Sequence, residues 1–169
     1  MSLYKAVPQF IKMLRNLDRW LVTATEYAKK KSFDAEVLLQ ARLAPDQYPL
    51  VRQVQIACDS AKFTTAHLSG QKAPAHPDTE KTLPEVHARI ASCIAFLESV
   101  KEADFQGAGE RRISAPWMAG KWVAGAPYLL QLAYPNFYFH ITTAYAILRH
   151  NGVELGKRDF LGDVQLNDA

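Results

Sequence analysis

Five histidines carry most of the metal-binding and acid–base potential of this chain, and two of them, His67 and His140, sit in apolar, helix-forming sequence. A neutral imidazole supplies a nitrogen ligand to zinc, nickel or iron, and in a helical bundle such ligands project inward from facing helices. His67, near the end of one predicted helix, and His140, early in another, would share a metal if those ends lie together. A catalytic zinc site ordinarily takes three protein ligands and a water. The position one helical turn beyond His140 is Ala144, with Tyr145 beside it. The competing reading of both imidazoles is a buried polar side chain satisfied by hydrogen bonds to backbone, tyrosine or water. His76 falls in a proline-bounded loop, His87 lies off the apolar stripe of its helix, and His150 suits a helix C-terminus near the negative dipole end.

Other chemistries find less support. Cys58 and Cys93 each lie inside apolar-periodic helical sequence with no CxxC spacing, which predicts two buried free thiols. No GxSxG elbow occurs. Gly107-Ala108-Gly109 runs into Glu110-Arg111-Arg112, without the further glycine or the Gly-Lys-Ser/Thr of a phosphate loop. The aromatic side chains between Trp117 and Tyr145 are dense enough to line a small-molecule pocket or a partner interface, or simply to fill a core.

Four amphipathic helices would position these groups. The first runs from Val7 through Phe10, Leu14, Leu17 and Leu21 to Ala28, with Ser2 as a cap and Lys29-Lys30-Lys31 at the negative end of its dipole. Residues 32–49 are too apolar for a free linker and predict a short helical turn in a strapped loop. The second helix spans Pro49 to Ser69 and stops at Gly70. After a proline-bounded loop, Thr82, Pro84 and Glu85 form a capping-box pattern that opens the third, through Val86, Ile90, Cys93, Leu97 and Val100. Glycines 107, 109, 120 and 125 mark the least helical stretch, where 111–115 and 121–124 are expected to pair as a small β-ribbon. The last helical region starts near Pro127, is interrupted or restarted at Pro135, and ends at Asn151-Gly152. Residues 156–162 read as an ordered tail returning over the bundle, fraying from Asp163.

The totals fit one all-α domain over residues 1–169: 49% hydrophobic and 22% charged residues suffice for a substantial core. A net charge of +3 with scattered lysines and arginines argues against nucleic acid as a partner. No apolar run reaches spanning length and no signal peptide opens the chain, so a soluble cytoplasmic protein without a membrane partner is expected.

The segments Pro135-Asn136-Phe137-Tyr138-Phe139-His140, Ala144 to Gly152 and Gly156 to Gly162 resemble a bacterial family of unassigned function within the DinB/YfiT-like superfamily. The resemblance implies a DinB-like up-down-down-up four-helix bundle and frequent homodimerisation. It also implies a divalent metal held by one histidine on helix two and two histidines one turn apart on the last helix, in proteins some of which are thiol-dependent transferases or hydrolases. Carried onto this sequence, His67 matches the helix-two ligand and His140 the first of the pair, whereas Ala144 replaces the second. Two functions are therefore expected to compete. One is a small-ligand-binding or interaction protein with a degenerate metal site; the other is a metal-dependent thiol transferase or hydrolase using His67 and His140 with zinc or nickel.

Overall fold

The computed structural model describes residues 2–166. Helix α1 spans Ala6–Lys31 and places Phe10, Leu14, Leu17 and Leu21 on one fully buried stripe, as their spacing of three and four residues requires. A 3₁₀ turn, Leu3–Lys5, precedes it, and the Ser2 hydroxyl accepts the Tyr4 N–H there. The connection to α2 is the expected strap: a 3₁₀ stretch, Ala35–Gln40, opened by Asp34 accepting from the Glu36 N–H and anchored by buried Leu38 and Leu39.

Helix α2 covers Leu50–Ser69 and closes on Gly70 at φ 78°, a left-handed conformation that favours glycine. Helix α3, Leu83–Ser99, begins with the full capping box: Glu85 N–H donates to the Thr82 hydroxyl while the Glu85 carboxylate accepts from the Thr82 N–H. The ribbon forms as β1, Arg112–Ile113, paired antiparallel with β2, Val123–Ala124.

The last long helix differs from its sequence expectation. It runs without interruption as α4, Gly125–Pro127, a π-helical segment, Tyr128–Ala133, and α5, Tyr134–His150. Pro135 lacks an N–H and its ring crowds the turn before it. A local widening to π geometry is one way a helix absorbs such a disturbance without breaking. A short α6, Lys157–Leu161, then returns onto α1: the Phe160 ring stacks on Trp20 at 5.6 Å and the indole N–H donates to the Asp159 carbonyl at 3.1 Å. The expected fraying from Asp163 falls partly on residues 167–169, outside the described residues.

The molecule is therefore predominantly helical, built as helix on helix around one apolar core. Phe10 of α1 meets Phe137 of α5 at 4.7 Å between ring centroids, and Trp20 meets Tyr145 at 5.4 Å. Asp18 and Arg15 of α1 pair with His87 and Glu98 of α3. The Cys93 thiol of α3 donates to the Cys58 carbonyl of α2 at 3.3 Å. Both cysteines are free and fully buried, as expected. Among the described residues no helix is long and apolar enough to cross a membrane.

Candidate functional site

The principal cleft, of about 650 Å³, opens between α2, the segment 114–117 after β1, the π-helical turn and the start of α5. Its place follows from the chain's local geometry. The glycine-rich insert lays Ala115-Pro116-Trp117 across the end of α2, and the π segment sets Tyr128 and Leu132 opposite. His67 lines this cleft with its ring edge-on to Tyr128 at 5.8 Å. Burial lowers the His67 pKa, so its imidazole is neutral near neutral pH. Burial raises the Tyr128 phenol, with the Thr64 hydroxyl acting in the opposite sense. The walls add Ile56, Phe63 and Trp117, and the polar groups Ser60 and Asn136 are joined by an Asn136 Nδ2 to Ser60 Oγ hydrogen bond of 2.6 Å.

His140 is elsewhere. Its Nδ1 lies 2.7 Å from the Gln53 Oε1, near the start of α2. Gln53 and His67 are 14 positions apart on one helix, which at 1.5 Å per residue is about 21 Å. The expected sharing of a metal by His67 and His140 thus fails on geometry: they occupy opposite ends of α2. Ala144 is fully buried in the core, so it is not a cleft position from which a ligand has been lost. On the last helix Tyr128, Leu132 and Asn136, each four positions from the next, line the cleft with His67.

Beside the cleft two buried cations, Lys62 and Arg89, meet the partly exposed carboxylates Asp59, Asp78 and Glu80. Arg89 of α3, with its side chain 1% exposed, reaches Asp59 at 2.7 Å, Asp78 at 2.6 Å and Glu80 at 3.0 Å. Lys62, equally buried, pairs with Asp59 at 2.8 Å and with His76 Nδ1 at 2.8 Å, and His76 Nε2 meets the Ser92 hydroxyl at 3.1 Å. Burial alone would raise the Asp78 and Glu80 carboxyls, but hydrogen bonds from Arg52 and Arg89 to the first, and from Arg89 and Gln55 to the second, outweigh it and lower both. Because the Lys62 ammonium donates to Nδ1, His76 carries its proton on Nε2 and donates to Ser92. That polarity is the reverse of what activating a serine nucleophile requires. The sequence did carry a signal for this cluster. Lys62 stands between Cys58 and Thr65, and Arg89 between Val86 and Cys93, each at stripe spacing where an apolar residue is the default.

The profile of a domain of unknown function, DUF1993, matches residues 3–161. This chain belongs to the DUF1993 family. Among solved structures, the crystal structure of a DinB family member protein from Shewanella denitrificans is similar to this DUF1993 chain at 50% identity and a TM-score of 0.95. The match covers 99% of this chain and 96% of that one. No curated protein matches. The DinB likeness of the sequence is thereby upheld at the level of family and fold.

The metal implied by that likeness needs three donors converging beside His67. In this DUF1993 protein, Leu132 has no donor atom, the raised pKa of Tyr128 works against a phenolate ligand, Asn136 is a neutral amide bonded to Ser60, and Asp59 is engaged by Lys62 and Arg89. Among the described residues no group of three or more His, Cys, Asp or Glu side chains is placed to hold an ion. The donor set does not fit a three-ligand centre.

Proposed function

We propose that this DUF1993 protein binds a small organic molecule in the cleft beside His67, at a site that has lost the donors of a metal centre. The observation that carries this reading is the composition of the cleft: an imidazole with no hydrogen-bond partner among the described residues, edge-on to Tyr128, in an apolar, aromatic-walled space of about 650 Å³. Spaces of this size with apolar walls and a few convergent polar groups are typical of small-molecule sites. The finer course of the bundle, up-down-down-up, belongs to the same reading. It is supported by parallel pairings of α1 with α5, from Phe10–Phe137 to Trp20–Tyr145, and antiparallel pairings of α2 with α5, from Ser60–Asn136 to Gln53–His140.

Two measurements test it. Elemental analysis of tag-free protein is expected to find well under one equivalent of zinc or nickel; a full equivalent that His67→Ala removes would restore the metalloenzyme reading. Titration of ¹⁵N-labelled protein with a panel of aromatic fragments is expected to shift amides of residues 56–67 and 128–136, and Leu132→Trp, which fills the cleft, is expected to abolish those shifts. Shifts confined to other surfaces would overturn the assignment of the site.

A further inference from the structure

We propose that the cleft selects an uncharged aromatic molecule bearing a hydroxyl group. The inference rests on the cleft being a ligand site and specifies the chemical class of the ligand from three features of its wall.

The first is charge. Among the described residues, Asp59 is the one carboxylate lining the cleft, and no lysine or arginine lines it. Asp59 already receives Lys62 at 2.8 Å and Arg89 at 2.7 Å, and both cations have side chains only 1% exposed. Around them the cations Arg52, Lys62 and Arg89 face the anions Asp59, Asp78 and Glu80, three against three. A charged ligand entering the cleft would shed water without finding an uncompensated partner, which is strongly unfavourable.

The second is His67. Its ring contacts Tyr128 edge-on, and burial is the sole influence on its proton affinity, with no neighbouring charge or hydrogen bond acting among the described residues. A neutral imidazole offers one N–H donor and one nitrogen acceptor. A hydroxyl group can meet either nitrogen, donating to one tautomer and accepting from the other. A carboxylate can only accept, and an ammonium can only donate.

The third is aromatic surface. Trp117 is 67% exposed and Phe63 44% exposed, although both border the cleft. A flat ring seated there would cover apolar area that water otherwise wets, and would find the quadrupolar ring faces that favour offset or edge-on aromatic contact.

The test is calorimetric titration near neutral pH with three probes that share one body and differ in head group: 2-naphthol, 2-naphthoate and 2-naphthylmethylammonium. The expected result is that 2-naphthol binds at least ~10-fold more tightly than either ion. His67→Ala is expected to weaken 2-naphthol by about 3- to 10-fold, the loss of one hydrogen bond, and Leu132→Trp to abolish its binding. Equal or tighter binding of either ion overturns the selectivity while leaving the cleft a ligand site. Unchanged 2-naphthol affinity in His67→Ala overturns the role of the hydroxyl. If none of the three probes binds, or if Leu132→Trp leaves binding intact, the cleft reading falls with the inference.

Discussion

His140 shows how one side chain can satisfy a metal-ligand pattern in sequence and serve a different purpose in the fold. Gln53 donates its Nε2 to the Tyr48 carbonyl at 3.0 Å, which leaves Oε1 to accept. The His140 proton therefore resides on Nδ1. Burial, reinforced by the charge of Arg52, lowers the His140 pKa from 6.5 to about 4. The folded-state value lies below the unfolded one, so between these two pH values the unfolded chain takes up a proton that the folded chain refuses. Stability contributed by neutral His140 is present above pH 6.5, is lost as pH falls toward about 4, and changes no further below it. Replacing His140 by Gln removes the titration whatever it does to the absolute level. The melting temperature of the wild type is expected to fall more steeply than that of His140→Gln across this window, and matching slopes in thermal scans at stepped pH would refute the assignment. His67 and His76 are lowered too and contribute in the same direction, so the difference between the two proteins isolates His140.

The last helix decides the shape of the cleft at the level of elements. Capping, stripe spacing and the stop at Gly70 made α1, α2 and α3 legible from local sequence, since each rests on residues within a few positions of one another. The segment from Gly125 to His150 was harder to read, because a π-helical turn shifts the helical phase and residues on either side no longer follow a 3.6-residue count. Gly125 starts this helix for a steric reason. A Cβ there would lie 1.9 Å from the Ala108 carbonyl oxygen and 3.0 Å from the Leu68 Cδ2, so the insert and the end of α2 approach each other only over a bare backbone. Gly125→Ala is expected to cost about 1–3 kcal/mol by overpacking. Gly109→Ala is the control: its nearest neighbour, the Ala126 Cβ, is 4.0 Å away, and a change within about 0.5 kcal/mol is expected. Urea unfolding of the two variants compares them directly, and equal losses would show that the close approach at Gly125 is not what constrains the insert.

Across the whole molecule, the buried cations Arg89 and Lys62 join elements that the apolar core alone does not. Arg89 binds α3 to Asp59 of α2 and to Asp78 and Glu80 of the irregular 70–82 connection, while Lys62 adds His76 of that connection. Without Arg89, Asp59 keeps Lys62, Asp78 keeps Arg52 and Glu80 keeps only the Gln55 amide, so Arg89→Met is expected to destabilise the fold by about 1–3 kcal/mol, the loss of hydrogen bonds to charged groups. A shift of the urea midpoint worth less than about 1 kcal/mol would mean that the connection relaxes into water and that the cluster is not a fastening. The sequence by itself determined α1, α2 and α3, the capping box of α3, the stop at Gly70, the small ribbon, the buried thiols and the family, because hydrophobic period and turn chemistry are local and survive without knowledge of the partner surface. Ser2, expected to cap the first helix, caps the 3₁₀ turn before it. Tertiary structure decided which turn of the last helix faces His67. It placed His140 at the far end of α2, put Ala144 in the core, and made Lys62 and Arg89 buried rather than solvated. The reason is that a side chain's partners across a bundle depend on the axial offset and rotation of one helix against another. A π-helical turn changes that rotation by shifting the phase of the residues before it against those after it.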